Sequence, residues 1–353
     1  MLKLRRGLVV SVEDAGAAVG RLVRLVVRVD GEADARPAVA YPALTGEIEE
    51  GDDVVVNVEA RDLALGSGGF DIVCVNLTRG LSGEGKREAR VAKLNYTPMQ
   101  HCVKPVEEGL EGPPPLTCPP SAVLPLHGYL APVAFAFSAR APKRALGYVQ
   151  SPGGALPGWL SNDVAVLLER GLLVDHVTAA PAFGGREEAI TVEGALQAAS
   201  ARLGWDAAAV APGPGILGSA STLGHGGLEA LHSAHAALAL GSRPVLAPRM
   251  SSGDPRPRHR GLSHHTRTVL SLLLGSVDVA VSGALASGLR AALAEAAGER
   301  HRLIEQPVDD LVEGYRESGL PTSTMGRRFE EDAVFFETAL AAGAALAAKI
   351  EGT

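Results

Sequence analysis

The chain has 353 residues, 46% hydrophobic, 21% charged and only 4% aromatic, with a net charge of −7; its core must be aliphatic, and its length suits two domains or one large one. A mean hydropathy of +0.14 excludes a disordered polymer, and no uninterrupted apolar run reaches the roughly 18 residues that span a bilayer, so no membrane partner is expected. The start MLKLRRGLVVSVED is broken by Glu13 and Asp14 too early for a secretory signal, and Cys74, Cys102 and Cys118 match no metal or redox spacing, so the expected compartment is the cytoplasm.

Residues 1–80 read as β structure. The run 21–30 (RLVRLVVRVD) alternates at period two, and 44–60 (LTGEIEEGDDVVVNVEA) reads as strand, tight turn at Glu50-Gly51-Asp52, then strand. With no helical stretch between them, short strands predict a small N-terminal β-barrel or β-sandwich. Gly66, Gly68 and Gly69 suit a bulge or hairpin turn better than a binding loop, and the scarcity of rings speaks against a nucleic-acid-binding barrel. Residues 81–120 read as a linker holding one strand at 91–96 (VAKLNY) and a proline-rich connection at 107–120.

From Ser121 the pattern changes. Strands are predicted at 121–126, 145–149, 173–178, 206–211, 243–248, 277–281 and 301–305, with helices at 129–139, 158–170, 187–203, 226–240, 264–275 and 283–298 between them. Two more helices follow, at 308–317 and 329–349. Strands that lack alternation are buried on both faces, which predicts a Rossmann-like, doubly wound, mostly parallel α/β sheet over 121–353. The last helix is apolar on more than one side, as burial in the domain or in a homo-oligomer contact requires.

Polar and glycine-rich clusters follow the predicted strands: His127-Gly128, SPGGALP at 151–157, AAPAFGGREE at 179–188 with Gly184 and Gly185, PGPGILGSASTLGHGG at 212–227, and RMSSGDPRPRHRGLSHH at 249–265. Loops leaving the carboxyl ends of parallel strands open on one edge, where doubly wound folds bind ligands. In 212–227, Gly213, Gly215 and Gly218 allow close backbone approach and Ser219, Ser221 and Thr222 offer hydroxyls, so the loop is read either as an anion cradle or as a tight packed connection.

The charge is unevenly placed. Six arginines and one acid, Asp254, lie between Arg243 and Arg267, a local balance of +5 that leaves −12 on the rest of the chain. Arg249, Arg256, Arg258 and Arg260 suit carboxylate or phosphate oxygens, and the alternation of the last three predicts that one or two face the site and the others solvent. One loop in an acidic protein makes few phosphate contacts, so no nucleic-acid partner is expected. Ser263 reads as the N-cap of a helix starting at His264. The positive helix end favours neutral rings at His264 and His265, and with His259, His127 and Asp254 these are candidates for proton transfer, their alternative being structural hydrogen bonding. Adjacent helix residues diverge by about 100°, so His264 and His265 are not expected to share one ion; with Asp254 and His259 a metal site is an open alternative, but the spacing matches no known ligand signature and no metal or cofactor is assigned. His225 is a further candidate on the same edge, while His232 and His235 read as structural. In 321–332, Ser323, Thr324 and Arg327 either cap a helix turn, with Glu330 and Glu331, or close over a ligand.

The set VNL at 75–77, NYTPMQ at 95–100, PLHGYLAPVA at 125–134, GGALP at 153–157, AFGGREEAI at 182–190, APGPGILGSAS at 211–221, RMSSGDPRPRHRGLSHHT at 249–266 and STMGR at 323–327 resembles a bacterial family known only as a domain of unknown function. The resemblance spans nearly the whole chain and implies a member with no missing module; it brings no activity, substrate or catalytic residue. The residues themselves predict an enzyme acting on a small anionic, for instance phosphorylated, substrate, the alternatives being a non-catalytic nucleotide or metabolite sensor and, more weakly, a metal-dependent hydrolase.

Overall fold

Period-two alternation shapes the first of two units into which the chain divides, Met1–Val103 and Lys104–Thr353. The computed structural model describes residues 1–13, 22–65, 68–85, 87–112, 118–219 and 221–351. In the first unit β1 (Leu4–Glu13), β2 (Val23–Val29), β3 (Arg36–Ala40), β4 (Asp53–Asn57) and β5 (Asp71–Asn76) close a barrel in the order β1-β2-β3-β5-β4, antiparallel except where β3 meets β5. Leu25, Val27 and Val29 of β2 and Val54 and Val56 of β4 fill it, while Arg24 and Arg28 point to solvent. The half-buried rim is tied by Arg36, whose guanidinium meets Asp71 at 2.6 Å, Asp62 at 2.6 Å and Glu32 at 3.1 Å.

Two expectations fail here. The first half of 44–60 is no strand: Pro42 starts the one-turn helix α1 (Pro42–Thr45), as a ring with fixed φ favours, and only β4 follows the turn at Gly51. A second one-turn helix, α2 (Glu59–Asp62), also interrupts what reads as helix-free sequence. Gly68 and Gly69 take positive φ in the turn before β5, whereas Gly66 lies outside the described residues. The strand predicted at 91–96 shortens to β6 (Val91–Lys93), which pairs with β7 (His101–Val103); the unit boundary at 103/104 thus falls inside the segment read as a linker, of which 113–117 lie outside the described residues.

The second unit carries β8 (Ser121–Val123), α3 (Leu130–Arg140), β9 (Leu146–Ser151), α4 (Asn162–Glu169), β10 (Asp175–Ala179), β11 (Glu187–Ala189), α5 (Val192–Ala201), β12 (Ala207–Pro212), α6 (Glu229–Ala239), β13 (Val245–Leu246), β14 (Met250–Ser251), β15 (Gly261–Leu262), α7 (His264–Leu272), β16 (Asp278–Ser282), α8 (Ser287–Ala297), β17 (Arg302–Gln306), α9 (Asp309–Glu317), β18 (Ser323–Thr324), β19 (Arg327–Arg328) and α10 (Ala333–Glu351). Eight of the strands form one sheet in the order β11-β10-β9-β12-β8-β13-β16-β17, and every pairing in it is parallel. Ala207, Ala209 and Ala211 of β12 join the core layer of α3 and α10, while Ala208 and Val210 join that of α5 and α6, so a strand with period-two geometry shows no polar alternation. Helices thus cover both faces, the doubly wound α/β arrangement.

The connection from β8 leads over α3 towards β9, and the one from β12 leads over α6 towards β13 on the other side. β8 and β12 are neighbours, so their carboxyl ends flank a topological switch point. The helix predicted over 187–203 begins only at Val192, with Thr191 as its N-cap; Glu187–Ala189 instead pairs with β10 as the edge strand. α10 is long and apolar enough to cross a membrane by length and composition, yet 67% of its apolar window is buried in the fold. A Cβ on Gly343 would stand 2.3 Å from the Val133 carbonyl oxygen, so this glycine lets α10 lie directly on α3.

Candidate functional site

Loops leaving β8, β12 and β13 surround a pocket of about 520 Å³ at the switch point. His127 and Gly128 come from the first, Gly213, Gly215, Gly218, Ser219 and His225 from the second, and Arg249, Arg256, Arg258, His259 and His265 from the third. Asp163 at the start of α4 and Ser323, Thr324 and Met325 of the β18–β19 hairpin complete the wall.

The arginines are sorted by one buried acid. Asp254 accepts from Arg256 Nε at 2.9 Å and Nη2 at 2.7 Å, and lies 3.9 Å from Arg249 and 3.8 Å from Arg327. Burial alone would raise this carboxyl, but the paired Arg256 hydrogen bonds and the surrounding positive charge hold it well below the usual carboxylate range. Asp254 is therefore held ionised among the arginines that surround it. Arg260 turns away from the pocket and donates to the Asp254 carbonyl at 3.2 Å. Arg258 makes no hydrogen bond or ion pair among the described residues and stands exposed on the pocket wall. Arg249 is buried, which lowers it to about 10, still protonated at neutral pH; its Nη1 donates to Nδ1 of His265 at 2.9 Å.

Behind this loop Asp332, fully buried, accepts from Ser251 Oγ at 2.6 Å, Ser252 N at 2.7 Å and Arg327 Nε at 2.9 Å. Arg327 is thus a strut rather than a pocket residue. Ser323 and Thr324 cap no helix; they form β18, and Glu331 caps its own turn by accepting from Arg328 N.

The glycines divide by task. A Cβ on Gly226 would come within 1.8 Å of the Gly153 carbonyl oxygen, and one on Gly154 within 2.2 Å of that of Gly213, so these residues interlock the loops after β9 and β12 backbone to backbone. Ser219 and Ser221 spend their hydroxyls closing the 219–224 turn, and Ser221 does not reach the pocket wall. Gly215 and Gly218 remain on the wall; a Cβ on Gly215 would meet nothing within 4 Å, and one on Gly218 only the Cβ of His225, at 3.7 Å. Gly184 and Gly185 lie elsewhere: Gly184 N donates to Glu188 at 2.8 Å and Gly185 N to Thr178 at 3.1 Å, which secures the edge strand.

Four histidines pack together, and three of them, His225, His259 and His265, line the pocket. His225 and His265 stack with centroids 3.6 Å apart and planes 5° from parallel, and His264 lies 5.4 Å from the first and 4.4 Å from the second. His259 sits 4.9 Å from His264, with Nδ1 2.8 Å from Ser263 Oγ. Ser263 caps α7 as expected, accepting from His265 N. His264 and His265, not expected to converge, bring ring nitrogens within 4.8 Å of each other and of one on His225. Burial, followed by Arg249, pushes His265 down to about 2 and His259 down to about 3; burial also lowers His225 and His264, so all four rings are neutral at pH 7. His127, lowered by burial, has Nε2 2.6 Å from Ser161 Oγ. Such rings are poor bases, which narrows the proton-transfer role expected of them.

Ser161 and Asp163 escape the sequence reading. They follow the predicted helix start at 158, whereas Ser161 is the true N-cap, accepting from Val164 N; a Ser-Asn-Asp run before an apolar stretch was the available signal.

An all-parallel, doubly wound sheet preceded by a five-stranded barrel defines an α/β protein with an added β unit. Residues 37–343 match the family model described as a protein of unknown function, DUF3866, and the chain belongs to that family. No curated protein and no solved structure matches it.

Proposed function

We propose that this protein is an enzyme acting on a small anionic substrate, of phosphate or carboxylate type, held in the pocket over the switch point. The observation that carries the reading is Arg258: a guanidinium with no partner among the described residues, on a wall that also bears Arg249 and Arg256 and, among those residues, one carboxylate, Asp163. Arginine forks match paired oxygens, and Asp254 pre-orients Arg256 for that purpose. Gly215 and Gly218 leave the substrate room to approach the backbone. Burial is the main cause that depresses His259 and His264, and the arginine field adds to it; a bound anion offsets the second part and so raises their proton affinity. The partner on this reading is a small molecule, not a nucleic acid.

Titration calorimetry with orthophosphate, pyrophosphate, citrate and nucleotides tests it. At least one anion is expected to bind, and Arg258→Ala to weaken it about 10- to 100-fold, since hydrogen bonds to charged groups contribute about 1.5–3 kcal/mol. The melting temperature should not change, because Arg258 is exposed and supports nothing. Absence of binding by every anion, or wild-type affinity in both Arg258→Ala and Arg256→Ala, contradicts the proposal.

A further inference from the structure

We propose that His225, His264 and His265 bind one transition-metal ion of the zinc class, with an open coordination position facing the pocket. The inference stands on the histidines and not on the anion reading. One ring nitrogen from each lies within 4.8 Å of those of the other two. Among the described residues no hydrogen bond of normal geometry reaches either ring nitrogen of His225 or Nε2 of His264, the Thr222 backbone making only a loose approach to His225, which is 8% exposed. Packing alone does not explain this, because buried polar atoms in folded proteins are nearly always satisfied. Neutral imidazoles are the ligands that zinc, cobalt and nickel prefer, and three protein ligands leave a position free; because His225 and His265 stack face to face, one of these two rings must turn about its side-chain bonds for both to reach the same ion.

Local structure supports the assignment. Ser263 fixes the first turn of α7, so His264 and His265 approach from one side while His225 approaches from the loop after β12. A Cβ at Gly227 would fall 2.6 Å from Nδ1 of His265 and 3.0 Å from Nδ1 of His225; glycine keeps the space beside both atoms clear. Arg249 donates to His265 Nδ1, so an ion that takes this nitrogen displaces the contact, with Asp254 3.9 Å from the guanidinium, whereas one that takes Nε2 leaves it in place. A mutual N···N distance of about 3.4 Å follows from tetrahedral Zn–N bonds of about 2.0–2.1 Å, so the widest separation closes by a little over 1 Å on binding. His225 and His265 both line the pocket, so the free position opens where the substrate is placed.

The test uses the full chain without a histidine tag. Elemental analysis of the purified protein should find about one zinc-class ion per chain. Cobalt(II) added after chelator treatment should give the intense visible bands of a tetrahedral site. His225→Ala and His264→Ala should lose both signals, while His232→Ala, an exposed histidine at the start of α6, should keep them. A wild-type chain that carries no metal and gives no cobalt band overturns the proposal whether or not any variant folds. So does metal retained equally by the wild type and by a folded His225→Ala. Anion binding measured on the same metal-free wild type separates the two readings: anions bound without metal leave the pocket assignment standing, and metal bound without anions leaves only the histidine site.

Discussion

Asp332→Ala is expected to lower the unfolding free energy by about 3–5 kcal/mol, the range for breaking a buried ion pair from one side. The carboxylate is fully buried and serves four donors of the 251–253 turn, two of them serine hydroxyls, as well as Arg327, which is itself mostly buried. Its removal leaves a guanidinium and two hydroxyls facing an apolar gap. The Arg256–Arg258 loop leaves β14 directly above that turn, so anion affinity should fall with stability although Asp332 touches no ligand. Urea unfolding measures the first effect; a loss below about 1 kcal/mol, the scale of an exposed pair, would show that the turn does not depend on this carboxylate.

Acid should weaken the metal-free protein well before its carboxylates protonate. His265, at about 2, and His259, at about 3, lie below the ordinary value near 6.5, so between those limits the unfolded chain binds more protons than the native one. Stability therefore rises with pH, is complete above about pH 7, and falls as pH drops below 6.5. At pH 5 both rings are still neutral in the native chain, so each contributes a loss of up to about 2 kcal/mol and the pair up to about 4 kcal/mol. Unfolding at pH 7.5 and 5.0 with a chelator present measures it, and His265→Gln should remove about half of the difference. Equal stability at the two pH values would mean that these rings are not held neutral.

Much of the fold was legible because the relevant signals are local. Unalternated strands such as AAAVA and DVAVS announce burial on both faces, and the crowding of glycine, arginine and histidine after strand ends marks the carboxyl edge. Edge strand β11 was not legible: three residues, two of them glutamates, carry no β signal and are recruited by pairing with β10. Within the site, the arginine loop and His127 follow from position, but the roles of Asp254 and Arg327 do not, since an acid beside an arginine reads equally as catalyst or counter-ion. The meeting of His225 with His264 and His265 is set by the order β12-β8-β13, which brings together loops separated by almost forty residues. The glycines of 212–227 looked alike, and only backbone contacts divide the interlocking Gly226 and Gly213 from the open Gly215 and Gly218.

The central claim is that the +5 loop and the glycine loop form one anion site at the switch point. Crystals soaked in tungstate, a heavy analogue of phosphate, test it through anomalous scattering. The account predicts a peak between the Arg256 and Arg258 guanidinium groups, beside Gly215 and Gly218, that is absent from Arg256→Ala/Arg258→Ala crystals. Tungstate bound only elsewhere on the protein, with that pocket empty, would contradict it.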